Sequence, residues 1–452
     1  MAMKATSQAH AKLTLVEYGA LLRRGDISAE QFTGLFLQRI DARNGKLGAY
    51  TYVAHEQALA AARAIDGLLR AGTDLGPLMG VPVAVKDLFY VDGMPTTAGS
   101  QADVSDIVRT EGSFVRALKR SGCVILGKTW TSEFALGGIN FVQRVPWNPC
   151  DEATHRTPGG SSGGSAVAMA ADLCAFAIGS DTGGSVRMPA ALCGVFGHKF
   201  SRAAFSLEGV FPLSPTLDSI GTFTTDARDA SLVWTALTSN RDIAPAQLDG
   251  VRLARPRQLF YDDLDHGVEQ AIDRALERLR RAGAAIIQVD VPEVEQFESV
   301  FSGIVPIELI AILGPQRVEA NMSRFDPVVQ SRLAPALGLP AVVYIDARRR
   351  QTALRDAVTA RLRDYDALVT PTTPLLPGAL SEYATLDTAL AWNRRALRNT
   401  RPGNVFDQCG VSVPLHDAST GFPCGLQLSC APRHNEKLLA IACAVEAALN
   451  AR

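Results

Sequence analysis

Neither sign of charge dominates this chain. Its 452 residues carry 45 Lys and Arg against 46 Asp and Glu, a formal net charge of −1. Such a balance leaves no electrostatic footprint for nucleic acid or an anionic membrane. A neutral substrate is expected, or one whose charge is met locally. Cysteine pairing signals are missing too. Cys123, Cys150, Cys174, Cys193, Cys409, Cys424, Cys430 and Cys443 include no C-x-x-C pair, and most lie in apolar runs. They read as buried thiols in a reducing compartment. The seven histidines show no metal-ligand spacing and no H-E-x-x-H, so no metal and no metal ligand are expected. Residues 1–12 lack the apolar segment of a signal peptide. The longest run of small apolar residues, 166–179, is too short to cross a bilayer and contains Asp172. There is no internal repeat and no low-complexity linker. The expectation is a cytoplasmic protein with no membrane or nucleic-acid partner.

What is present is enough apolar material for a sizeable core, 47% of the chain. Residues 14–43 carry a helical apolar face through Leu15, Tyr18, Leu22, Phe32, Leu35, Phe36 and Ile40, with Ser28 as a cap. Residues 54–71 form a further helix, and together these make a helical layer over residues 1–72. Residues 80–87, GVPVAVKD, read as a strand. Val81, Val83 and Val85 share one face, and Pro82, Ala84 and Lys86 the other. Helix and strand then alternate through residues 111–119, 123–126, 165–171, 174–178 and 186–192, the pattern of an α/β sheet. Further on, residues 268–279 read as an amphipathic helix and 286–289 as a strand. The four-proline stretch 314–340 reads as irregular or broken, 341–365 as a long helix, 366–370 and 424–429 as strands, and 436–448 as a terminal helix. Residues 80–230 are the expected catalytic core. Residues 240–400 are a candidate variable lobe within one domain.

The chemistry concentrates between Pro158 and Arg187, where two glycine-flanked serine clusters are joined by small apolar residues. Glycine permits tight turns and close approach of a ligand. Gly159 to Gly163 fits G-x-S-x-G, the nucleophile elbow, but the polar residues before it are not the strand that elbow requires. Ser185 has the better context. A short apolar strand leads in, the turn is Gly183-Gly184, and a helix follows. The amides of Thr182, Gly183, Gly184 and Ser185 can then converge on one oxyanion; an ordinary N-cap is the bland alternative. Lys86 becomes a base only if desolvated; otherwise it is a solvated strand-end lysine. Residues 122–129 fit G-x-x-x-x-G-K-[ST], which would make this a nucleotide-binding protein. The four middle residues are a β-like apolar run, however, not a flexible loop. Residues 131–149, with Phe134, Gly137, Phe141 and Trp147, read as a loop beside a pocket.

Taken together, GVPVAVKD at 80–87, GGSSGGS at 159–165 and GSDTGGSVRMPA at 179–190 resemble the amidase signature family. Residues 206–212, 218–221, 366–374 and 425–428 add weaker matches in the same order. The resemblance implies one α/β/α domain around a large twisted mixed sheet covered by helices. It implies a Ser185 nucleophile, Ser161 on a cis peptide after Gly160 as the bridge, and Lys86 as the base. Thr182, Gly183 and Gly184 would form the oxyanion hole, with Phe134, Gly137 and Phe141 as candidate pocket residues. The implied activity is hydrolysis of a small-molecule amide, with carbamates and esters as alternatives, no metal or organic cofactor, and often a homodimer. A place in a tRNA-dependent amidotransferase complex is the competing role. The chain departs from the family at Gly197 to Ser201 and after Phe406, which bears on substrate shape.

Overall fold

The computed structural model describes residues 13–238 and 240–451. Residues 1–12, read above for a leader segment and containing His10, lie outside the described residues.

Eleven strands among the described residues form one sheet. They are β1 Tyr50–Val53, β2 Pro82–Lys86, β3 Val124–Thr129, β4 Phe176–Ser180, β5 Phe196–Lys199, β6 Ile220–Thr224, β7 Arg252–Pro256, β8 Ala285–Val289, β9 Ala367–Pro371, β10 Cys409–His416 and β11 Pro423–Cys430. Their order is β1-β3-β2-β4-β6-β5-β10-β11-β9-β7-β8. β2 runs parallel to β3 and β4, and β7 runs parallel to β8 and β9. The remaining pairs are antiparallel. The sheet is therefore mixed, as expected, and residues 240–400 feed β7, β8 and β9 into it instead of standing apart.

Every residue of β2, β3 and β4 is buried. Parallel strands covered on both faces carry continuous small or β-branched residues, and this is why the valine-alanine run of β2 sits at the centre. Their carboxyl ends, Lys86, Thr129 and Ser180, lie along one edge of the sheet, and β6 begins beside Ser180 at Ile220. An edge formed by strand carboxyl ends is where open α/β sheets place ligands. The helix Gly163–Ala170 crosses close to the sheet: a Cβ on Gly164 would stand 2.4 Å from the Trp130 nitrogen. Only glycine admits that approach. At the chain's start, Leu15–Arg24 and Ala29–Leu47 are both closed by capping boxes, Ser28 with Gln31 in the second. None of the eight cysteines is joined in a disulfide, and seven are buried.

One helix has no counterpart in the sequence reading. The helix Phe297–Leu313, apolar on most of its surface, belongs to a 22-residue segment long and apolar enough to span a bilayer. Half of the most apolar stretch in that segment is buried inside the protein. Its apolar residues recur all round, so no single-face period marks it in the sequence. The nucleotide-loop motif at 122–129 is a strand where a phosphate loop would need flexible backbone, in line with its β-like middle residues. Its middle is β3, and Lys128 is fully buried, donating to Asp87 Oδ1 at 2.8 Å, the Pro95 carbonyl and Thr96 Oγ1. A lysine so engaged has no donor left for a phosphate.

Breaking a buried pair strands its partner charge. Lys128→Met is expected to cost about 3–5 kcal/mol, read as a lower urea midpoint. An unchanged midpoint would show that Asp87 needs no counter-charge.

Candidate active site

The site grows from the carboxyl edge of β2. Lys86 is fully buried, on the strand face shared with Pro82 and Ala84. Its Nζ donates to Ser161 Oγ at 2.7 Å and to Ser180 Oγ at 2.9 Å. Both partners are neutral hydroxyls, and among the described residues no carboxylate pairs with this amine. Burial pushes Lys86 down to about 7, with Asp218 and Asp181 opposing at longer range. An amine taken from water without a counter-charge favours its neutral form.

Ser161 follows a cis peptide at Gly160 and is fully buried. It stands on a loop, not on a strand-to-helix elbow, and it faces the lysine. Ser162 continues the polar seam, with its Oγ donating to the Ser180 carbonyl at 3.2 Å and accepting from the Ser180 amide at 3.3 Å. Ser165 and Thr129 share a hydrogen bond of 2.7 Å just below.

Ser185 sits on the turn after β4 and lines the cleft. Its hydroxyl makes no hydrogen bond among the described residues. It is not an N-cap: the helix Arg187–Cys193 has Val186 at that position, with no side-chain cap bond. The turn is organised by Asp181, which sequence reasoning missed. This buried carboxylate accepts from the amides of Gly184 (2.8 Å), Val186 (3.1 Å) and Arg187 (3.3 Å). It also takes Arg187 Nη2 at 2.9 Å and Asn404 Nδ2 at 3.0 Å. These charge-assisted donors hold its carboxyl well below the usual carboxylate range, against a large cost of burial. Gly184 is therefore corrected as an oxyanion donor, because its N–H already belongs to Asp181. The amides of Thr182, Gly183 and Ser185 donate to no other group among the described residues.

Asp218, just before β6, is the second missed carboxylate. It accepts from Thr182 Oγ1 at 2.5 Å and from the amides of Leu213 and Ser214. Burial pushes it up to about 6. The motif signal for both was present, since residues 179–190 contain Asp181 and residues 218–221 begin with Asp218. Only the fold reveals that they anchor the turn.

Of the candidate pocket residues, Gly137 lines the cleft beside Ala135 and Leu136. Phe134 does not; its ring is fully buried, stacked 5.6 Å from Phe211 and edge-on to Phe325 at 5.2 Å. Phe141 is 38% exposed and lies outside the lining, its amide held by Asp326. Trp147 stacks on His155. The far wall comes from sequence-distant helices and carries Phe301, Val305, Arg332, Leu397 and Arg401. Neither His198 nor Lys199, in the divergent 197–201 segment, reaches this cleft; both are buried in the sheet.

A family model described as Amidase matches residues 31–439. The chain is 37% identical over 448 residues to a 2-amino-5-chloromuconic acid deaminase from Comamonas testosteroni, covering 97% of this chain and 96% of that protein. It is 32% identical to the A-type polypeptide of the glutamyl-tRNA(Gln) amidotransferase from Moorella thermoacetica, covering 96% of each. A solved amidase structure superposes with a TM-score of 0.87 at 33% identity, over 96% of this chain and 99% of that one.

Gly184 has φ +126°, and a Cβ there would stand 1.9 Å from Thr400 Oγ1. Gly184→Ala is expected to displace the turn and slow labelling of Ser185 by a fluorophosphonate about 10²-fold, with circular dichroism unchanged. Labelling at the wild-type rate would show that the turn does not position the hydroxyl.

Proposed function

Because the chain belongs to the amidase signature family and hydrolyses amide C–N bonds, we propose that Ser185 is its nucleophile, Ser161 its proton relay and Lys86 its base. The observation that carries this is the 2.7 Å bond from Lys86 Nζ to Ser161 Oγ. It is made by a fully buried amine whose partners are all neutral. A base whose pKa lies near the working pH is the most effective, and Lys86 is pushed down to about 7.

Neutral Lys86 takes the proton of Ser161 as Ser161 takes that of Ser185. The Ser185 oxygen bonds to the substrate carbonyl carbon, whose π electrons move to oxygen. The amides of Thr182, Gly183 and Ser185 receive that oxyanion; they cost no reorganisation because the Asp181 clamp has already fixed the turn. The proton on Lys86 returns through Ser161 to the amine nitrogen, the C–N bond breaks, and the acyl group remains on Ser185. Water then attacks by the same relay, releasing the acid and regenerating the serine. Hydrogen bonds of this kind often tighten only when substrate is bound, and the Ser185–Ser161 contact is assigned to that step.

The proposal extends to a small-molecule amide or carbamate as substrate, to the cytoplasm and to a homodimer, with no cofactor in the relay. A second reading is favoured by the 32% identical amidotransferase polypeptide, namely release of ammonia for a partner protein. The 37% identical deaminase favours a small-molecule substrate. Turnover of a simple anilide by the isolated protein separates the two.

Mass mapping of a fluorophosphonate adduct is expected to find Ser185, and an adduct on Ser161 would overturn the assignment. Ser185→Ala should lower kcat by about 10⁴-fold or more, and Lys86→Ala by about 10²–10⁴-fold with the fold kept. The lysine is active when neutral, so kcat/KM should fall as pH drops through about 7 and level off above it. A profile flat from pH 5 to 9 would remove Lys86 as the base.

A further inference from the structure

We infer that Arg332 binds a carboxylate of the substrate, so that the amides this enzyme cleaves are acidic ones. The inference rests on the reading of Ser185 as the nucleophile, because it concerns the cleft into which Ser185 opens.

Arg332 lies in the helix Pro327–Leu333 and lines the same cleft as Ser185, Thr182 and Gly183. It is half-buried. Among the described residues its guanidinium makes no hydrogen bond and no ion pair. The carboxylate that acts on it is Glu298, and Glu298 is engaged elsewhere: both its oxygens take Arg401 Nη1, at 2.7 and 2.8 Å. Arg401 lines the cleft as well, with its side chain only 4% exposed and its guanidinium 4.7 Å from the Phe301 ring centre. The Arg401 Nε is buried without a partner. The positive charges of Arg401 and Arg394 act on Arg332 as well. Burial and these like charges lower Arg332 from its usual value.

The bland reading is a long side chain laying its stem on apolar surface with its head in water. A head in free water would feel neither the desolvation nor its neighbours' charge as this one does. A cation kept partly dry beside a like charge is costly unless an anion completes it. The planar fork of arginine matches a carboxylate with two parallel hydrogen bonds. The same lining carries hydrocarbon from Leu136, Leu213, Val305 and Leu397. A nucleophile and a cation in one cleft with apolar lining suit an amide that carries a carboxylate and some hydrocarbon. It also fits the near-zero net charge of the chain, which leaves the substrate's charge to be met inside the cleft.

The test measures binding without turnover. Pentananilide, glutaric acid monoanilide and N-pentanoyl-4-aminobenzoate are titrated by calorimetry into the Ser185→Ala protein. The second probe carries the carboxylate on the acyl half, the third on the amine half. One acid probe is expected to bind at least about tenfold more tightly than pentananilide, by the net worth of one charged hydrogen bond. Adding Arg332→Gln should erase that advantage and leave pentananilide unchanged, while Arg332→Lys keeps part of it. Matching thermal midpoints confirm that the variants fold. Equal affinity for all three probes, or an equal loss of all three on Arg332→Gln, overturns the inference. Failure of a fluorophosphonate to label Ser185 in the wild-type protein would instead overturn the nucleophile, and leave the binding result standing.

Discussion

The structure depends on how one amine is kept dry without a counter-charge. β2 and β3 run side by side and each delivers a buried lysine to the same region, with Val85 opposite Lys128 and Lys86 opposite Thr129. Lys128 meets the Asp87 carboxylate at 2.8 Å and functions as a structural cation. Lys86 meets only the hydroxyls of Ser161 and Ser180. Burial acts on both amines, and the difference lies in the partner. A carboxylate within hydrogen-bond reach favours the charged amine; hydroxyls can donate as well as accept, and so tolerate the neutral one. One residue's displacement along the sheet therefore separates an ion pair from an amine without a counter-charge.

The second constraint is the turn that carries Ser185. Of the glycine amides in that turn, the one on Gly184 is captured by Asp181. That capture aims the remaining amides. Asp181 in turn is neutralised by Arg187, whose guanidinium continues to Gln427 Oε1 at 2.9 Å and Asn404 Oδ1 at 2.6 Å. Gln427 lies on β11, on the other half of the sheet. The geometry of one serine is thus tied across the middle of the domain by a fully buried network, and a satisfied network of this kind fixes a unique arrangement.

The sequence disclosed what depends on neighbours in the chain. The apolar run of β2, the strand-turn-helix around Ser185 and the capping box at Ser28 are local patterns, and each stands where its pattern put it. Long-range facts were hidden. Phe134 and Phe141 looked alike in a glycine-rich loop, yet one ring is stacked on Phe211 in the core and the other lies at the surface. Asp181 and Asp218 were inside quoted motifs, but a carboxylate's role is set by which donors the fold brings to it. The helix Phe297–Leu313 has no polar face to give it a period. Arg332 is one arginine among many, and nothing adjacent in sequence distinguishes it from the solvated ones.

This division follows the architecture of the site. Its lysine and serines come from segments at or near the carboxyl ends of adjacent central strands, and the turn that carries Ser185 is fixed through its backbone amides. Its opposite wall comes from helices between residues 297 and 401, packed over that edge largely through their side chains. A hydrogen-bonded turn tolerates little change, because each lost bond leaves a buried polar group unpaired. A wall of hydrophobic side chains and arginines can be exchanged residue by residue at small cost to the sheet beneath. The same catalytic edge can therefore serve different amides, and the charge of the substrate is decided by the wall.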